Sequence, residues 1–223
     1  MIVVIGSPIG RNADGAIAAG GSASRVALAA AATGRVVQLV GRMGDDSTAE
    51  AVVLDLARGG VGHVALLRDA SRVTPLEPEP ATDLEPDDLD DATATPSTPA
   101  NADLAAPAPA AVDAADIDLG LRYLTDFAVV VLAEPAGADV VRVVADAASW
   151  AEARLVLVVP LGESVPDGLP ADGIVFEAPD SDPDGVFATL VGDFAAALDD
   201  GAEPEDAFRA SIASDGWSEA AEA

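Results

Sequence analysis

Short runs of β-branched and aliphatic residues alternate along this chain with segments that have helical spacing. The first run covers residues 2–5, and an alanine-rich segment follows it and ends at Gly34. A second run at 35–40, a helical segment that ends at Gly59, and a third run at 64–67 continue the pattern. Continuous apolar runs are typical of strands buried on both faces. Their alternation with helices predicts a parallel sheet with crossover connections.

The alternation returns in the second half of the chain. We predict strands at 127–132, 154–159 and 173–176, and helices at 138–153, 185–198 and 203–213. Trp150, near the end of the first of these helices, is interpreted as a packing residue. The fold class that follows is α/β, with a doubly wound, mostly parallel sheet and helices on both faces.

Between the two halves, from about 75 to 115, the apolar periodicity is lost. Pro, Asp, Glu, Thr and Ala dominate this stretch. A segment of that composition buries too little apolar area to offset its ordering entropy. We therefore predict one α/β domain over residues 1–223, interrupted by a mobile, acidic insertion at about 75–115.

The charge of the chain restricts its partners. Acidic residues number 39 against 11 basic ones, all of them arginine, and the formal net charge is −28. Such a surface repels nucleic acid and anionic membranes, so neither is expected as a partner. A GC-rich genome or a salt-rich cytoplasm would both deplete lysine; we favour the halophile and expect the fold to weaken in low salt. The absence of cysteine and of a signal-like or spanning apolar segment leads us to expect a cytoplasmic protein.

A double glycine, Gly20-Gly21, stands directly before the first helical segment, for which Ser22 or Ser24 is a candidate N-cap. The first amides of a helix have no internal partner and carry partial positive charge. The junction therefore suits an anion or a sugar hydroxyl, or it is only a tight turn. At the second helix, Asp45 or Asp46 is expected to act as a cap rather than as a magnesium ligand, and no metal site is predicted.

Several motifs occur in a fixed order. They are Gly6-Ser7, then Gly20-Gly21 before the alanine helix, then 40–46 (VGRMGDD), then Gly60-Val61, with 99–104 (PANADL) and 158–160 (VVP) further on. This ordered set resembles the ribokinase-like (PfkB-type) carbohydrate kinase family.

The resemblance implies a set of substrate-binding residues. The family's asparagine after the double glycine contacts substrate hydroxyls, and Arg25 stands at that position here. The family's early sugar-binding aspartate has no exact counterpart, because Gly10 occupies its spacing and the nearest polar residues are shifted. Only 13 residues separate Ser7 from Gly21, so the lid strands over the sugar are missing or minimal. The candidates are Asn12, Asp14, Gly20, Gly21, Arg25, Gly41 and Asn101.

The resemblance also implies where phosphoryl transfer would occur. In the family's G-A-G-D motif, glycine amides at a helix N-terminus hold the developing charge and the aspartate takes the proton. The local match is 181–185 (SDPDG), in which Asp184 is the candidate catalytic base. Asp182 adds negative charge there and Pro183 removes an amide, and both changes oppose catalysis. The strands and glycine loops that bind ATP also have no room between Val175 and Asp182.

We therefore expect a shortened, diverged homologue without phosphotransfer activity. It would bind a small anionic metabolite through Arg25 and Arg42, or a partner subunit as a homodimer or beside an active relative. In the latter case, the sheet edge left by the missing lid is the candidate contact. The alternative is an active carbohydrate or nucleoside kinase that uses ATP and Mg²⁺, with Asp184 as the base.

Overall fold

Six parallel strands form the central sheet in the computed structural model, which describes residues 1–78, 108–166 and 168–214. In sheet order they are β5 (Val61–Asp69), β4 (Val37–Gly44), β1 (Ile2–Ile5), β6 (Val129–Leu132), β7 (Arg154–Pro160) and β8 (Ile174–Ala178). The helices are α1 (Gly21–Ala32), α2 (Ser47–Arg58), α3 (Ala114–Tyr123), α4 (Ala138–Trp150), α5 (Val186–Asp199) and α6 (Pro204–Ser214).

Helices cover both faces of this sheet. Side chains alternate between the faces along a strand, and β1 shows this directly. Ile2 and Val4 pack into one apolar cluster with α1, α2, α5 and α6, whereas Val3 and Ile5 pack into the other with α3 and α4. All four side chains are fully buried. The predicted doubly wound α/β architecture is confirmed.

A two-stranded antiparallel hairpin follows β1. It consists of β2 (Ile9–Ala13) and β3 (Ala16–Gly20), joined by Asp14 and Gly15. Both turn residues have positive φ, 50° and 79°, as expected for the two-residue Asp-Gly turns that match the twist of a hairpin. The lid strands are therefore present in minimal form, one of the two outcomes that the sequence predicted.

Two local predictions are wrong, and one helix was not predicted. The N-cap of α1 is Gly20 rather than Ser22 or Ser24, and no side chain of its own first turn caps it. Helix α3 was not predicted, because its apolar spacing begins inside the acidic stretch; its N-terminus is closed by a capping box of Asp113 and Asp116. Trp150 is not a packing residue, since 87% of it is exposed at the end of α4.

The first residues of the acidic stretch have a defined position. The Gly10 amide donates to the Pro75 carbonyl at 2.8 Å, and the Glu77 amide donates to the Gly10 carbonyl at 2.7 Å. These bonds hold residues 75–78 along the hairpin. The rest of the proposed insertion, with Asn101, lies outside the described residues. None of the helices in the described ranges combines the length and the apolarity that a membrane span requires.

Candidate functional site

The topology of the sheet places a crevice beside the carboxyl end of β1. The chain leaves β1 for β4 on one side, and returns after β5 to form β6 on the other side. Ligands of open α/β sheets bind in the crevice at such a switch point. The nearby cleft has a volume of about 600 Å³ and lies between the hairpin and the loop before α5. Its lining includes Arg11, Asn12, Arg25, Glu77 and the loop 181–184.

The Gly20-Gly21 junction is occupied by a carboxylate of the chain itself. The Gly21 amide, the first of α1, donates to Glu77 Oε1 at 2.7 Å. Arg25 Nη2 donates to both oxygens of the same carboxylate, at 2.9 and 3.1 Å. Glu77 therefore satisfies the partial positive charge of the helix N-terminus together with the guanidinium beside it. The junction holds an anion, and that anion is intramolecular.

The two arginines predicted to bind an anion both have acidic partners. In addition to Glu77, Arg25 donates through Nη1 to the Asp182 carbonyl, and its side chain is only 20% exposed. Arg42 pairs with Asp69 at 3.1 Å and with Asp116 at 2.5 Å. The hydrogen bond that Arg42 donates to Asp116 raises the pKa of Arg42 more than burial lowers it. Each guanidinium is thus already paired with at least one carboxylate of the chain.

A second carboxylate occupies the N-terminus of α5. Asp182 Oδ1 accepts from the Phe187 amide at 3.1 Å, and Oδ2 accepts from the Ala188 amide at 3.0 Å. Gly185 is the N-cap, with φ of 73°. These amides are the donors that an anion at this helix would need. The Asp182 carboxylate, which the sequence identified as added negative charge at this helix, therefore accepts from these amides directly.

The remaining candidate residues occupy different environments. Asp184 is exposed and lines the cleft, and Asn12 is exposed in the same lining. Asp14 sits in the exposed turn of the hairpin and does not belong to that lining. At Gly41, a Cβ would lie 2.2 Å from the Gly6 carbonyl oxygen. The structure thus gives Gly41 a packing role, because β1 and β4 approach too closely here for a side chain.

Two further residues of the site were missed at the sequence level, and the first is Glu134. It follows β6 by two positions, at the switch point, and accepts from the Ser7 amide at 2.9 Å and from Ser7 Oγ at 3.0 Å. Burial raises the pKa of Glu134, and the two bonds from Ser7 only partly oppose it. The sequence signal that could have identified Glu134 is its position, as an acidic residue shortly after a continuous apolar strand.

The second is Arg11, in the middle of β2. Its Nε donates to the Ala19 carbonyl across the hairpin at 3.1 Å, and the half-buried side chain faces the cleft. All 11 arginines lie in the described ranges, and within these ranges only Arg11 and Arg58 have no ion pair. The role of Arg11 could not be inferred from the sequence because the strands of the hairpin were not located there.

Asp46 acts as a cap. It accepts from the Ala49 amide of α2 at 2.8 Å and from the Thr74 amide at 2.7 Å. Burial is the largest single effect and would raise the pKa of Asp46, but the hydrogen bonds that its carboxylate accepts, first among them those from the Thr74 and Ala49 amides, together lower the pKa. Asp45 instead faces Arg68. Within the described ranges, no three acidic or histidine side chains converge as metal ligands would.

Among the comparisons with known proteins, the one with solved structures identifies the fold. No protein-family model matches the chain, and no curated protein matches it in sequence. A putative ribokinase II from E. coli, in its apo form, superimposes with a TM-score of 0.61 at 10% identity, over 94% of this chain and 90% of that one. Ribokinase from Arabidopsis thaliana, complexed with ribose and ATP, gives 0.60 at 15% identity, over 96% and 90%.

Matches to some other sugar kinases are partial. The chain spans 53% of an uncharacterized sugar kinase from Pyrococcus horikoshii, at a TM-score of 0.47 and 16% identity over 72% of this chain. It spans 31% of the fructokinase from Halothermothrix orenii, at a TM-score of 0.31 and 18% identity over 34% of this chain. The full-length superpositions decide the comparison: this chain has the ribokinase-like fold of the PfkB-type sugar kinases, as its ordered motifs predicted.

Proposed function

We propose that this protein is a diverged ribokinase-like protein that binds a small anionic molecule in its cleft and does not transfer phosphate. The observation that carries the proposal is the Asp182 carboxylate on the Phe187 and Ala188 amides. Phosphoryl transfer depends on donors aimed at the charge that develops in the transition state. Here, the Phe187 and Ala188 amides already donate to the fixed negative charge of the Asp182 carboxylate.

The cleft does not fit the phosphates of ATP. Three carboxylates line it, those of Glu77, Asp182 and Asp184, and Pro183 supplies no amide. A phosphate that displaced Asp182 would remove a helix cap worth about 1 kcal/mol and leave the carboxylate beside the incoming charge. The chain also has no lysine with which to offset that charge. The proposed function therefore involves neither ATP nor Mg²⁺.

Arg11 is the residue that favours an anionic ligand. It replaces Arg25 and Arg42 as the proposed anchor, because it lines the cleft and has no ion pair within the described part of the chain. The bond from Nε to Ala19 fixes the guanidinium and leaves its two terminal nitrogens for a carboxylate or a phosphate monoester. The ligand is thus a small metabolite that carries one such group.

The test is an NMR titration with inorganic phosphate and, separately, acetate in the millimolar range. We expect saturable shifts of the Arg11 side chain and of the 181–185 amides. The shifts of the 181–185 amides should disappear in Arg11→Gln and remain in Arg58→Gln, which removes an arginine that also has no ion pair in the described part of the chain and lies outside the cleft lining. No shift with either anion, or equal binding by both variants, would overturn the anion site.

The alternative is an active ATP-dependent kinase with Asp184 as the base. The exposure of Asp184 within the cleft is the observation that favours it. This alternative predicts acceptor-dependent formation of ADP that is abolished in Asp184→Asn. Our proposal predicts no such activity in the wild-type protein, so the two are distinguished by a measurement independent of the titration.

A further inference from the structure

A groove of about 520 Å³ lies between α3 and α4, on the sheet face opposite to α1 and α5. Its apolar lining comprises Leu121, Leu124, Phe127, Val143, Ala147 and Trp150. The function proposed above does not use this groove, because the cleft lies among the elements of the other face.

Two aromatic side chains are exposed beside the groove. Trp150 ends α4 with 87% of its surface exposed, and Tyr123 ends α3 with 73% exposed. Tryptophan and tyrosine are enriched among the residues that contribute most to binding at protein interfaces. An apolar hollow with an exposed tryptophan at its edge is typical of an interaction surface.

The rim of the groove carries equal numbers of positive and negative charges. Along α3, Asp118 pairs with Arg122, and along α4, Arg142 pairs with Asp146 at 3.7 Å. The chain as a whole has a net charge of −28. This patch is therefore neutral on a strongly acidic protein, and another acidic chain would meet less repulsion here than the net charge implies.

We propose that the groove is the interface between two copies of this chain, related by a two-fold axis. In such an interface the same patch serves both copies, so a projection and a hollow must occur together. Trp150 and the groove meet that condition: each tryptophan would enter the groove of the other copy. The rim fits as well, because its Asp and Arg residues can pair across the axis as they now pair within each helix.

Salt dependence distinguishes this arrangement from a contact driven by ion pairs. Two chains with a charge of −28 repel one another, and the Debye length falls from about 10 Å in 0.1 M salt to about 3 Å in 1 M salt. Apolar contact is not weakened by this screening. Dimerisation should therefore strengthen as salt is added, whereas an ion-paired contact would weaken.

Sedimentation equilibrium on the full chain tests the proposal at about 0.1 M and about 1 M KCl. We expect a dimer at 1 M salt, and a dissociation constant raised at least about 30-fold in Trp150→Ala, the loss usual for a central tryptophan. Leu161→Ala is the matched control, since Leu161 is 60% exposed and lies outside the groove lining. It should leave the dissociation constant unchanged.

A second readout protects the test against misfolding of the variant. Trp217→Phe leaves Trp150 as the only tryptophan, and its fluorescence should shift to shorter wavelength as the dimer forms. A monomer at both salt concentrations would overturn the proposal and indicate a different protein as the occupant. The proposal would also be overturned if Trp150→Ala still formed the dimer and if the Trp150 emission of Trp217→Phe did not shift on dimerisation.

Discussion

Glu77→Ala removes the carboxylate that holds the Gly20-Gly21 junction together. The variant loses the bond from the Gly21 amide at 2.7 Å and the two contacts from Arg25 Nη2 at 2.9 and 3.1 Å. Both partners are mostly buried, with side-chain exposures of 20% for Arg25 and 24% for Glu77. Because a hydrogen bond to a charged group contributes about 1.5–3 kcal/mol, we expect unfolding to become easier by about 2–3 kcal/mol. In a protein of this size, that loss lowers Tm by about 5–10 °C.

Thermal and urea unfolding measure this difference. Glu163→Ala is the matched control, because Glu163 is exposed and the variant changes the net charge by the same amount. Glu77→Gln should lose about 1 kcal/mol, since the amide oxygen still accepts from Gly21 but the ion pair is gone. If Glu77→Ala proved as stable as Glu163→Ala, the carboxylate would not occupy the junction in solution, and the account of this corner would be wrong.

Three further predictions concern the strands and the charge. Gly41→Ala should destabilise the fold by about 2–3 kcal/mol in urea unfolding, because its Cβ would lie 2.2 Å from the Gly6 carbonyl; an unchanged midpoint would refute the close approach. Burial raises the pKa of Glu134 above the ordinary value of 4.5, so the native state binds this proton more tightly than the unfolded state and loses stability as pH rises from 4.5 through the raised pKa. The stability of Glu134→Gln relative to the wild type should therefore increase as pH rises above 4.5, and a difference that does not change with pH would contradict this. Stability should rise between about 0.1 M and 1 M KCl as carboxylate repulsion is screened, and a fall would argue against adaptation to salt.

The fold was predictable because its signals are local. The run Ile2–Ile5 is apolar at every position, and a fully buried parallel strand has that pattern. Gly185 and Pro204 marked the starts of α5 and α6 to within one residue. The strands of the hairpin were not located in the sequence, although Asp14-Gly15 is a strong turn signal, because they are short and contain glycine and alanine.

The chemistry of the site was less predictable because its partners are distant in sequence. Gly21 and Glu77 are 56 residues apart, and Arg25 and Asp182 are 157 residues apart. No periodicity along the chain reports such contacts. The sequence identified Arg25 as a cation near a glycine junction but could not show that a carboxylate neutralises it. Similarly, the exposure of Trp150 depends on where α4 ends against its neighbours, which helical spacing does not specify.

The central claim is that Asp182 occupies the anion-binding amides of α5, so that phosphate is not transferred. The most direct measurement is ADP formation from ATP and Mg²⁺ with a panel of sugars and nucleosides, in about 1 M KCl to maintain the fold. We predict no acceptor-dependent ADP from the wild-type protein and the same background from Asp184→Asn. Saturable ADP formation with a defined acceptor, lost in Asp184→Asn, would contradict the account.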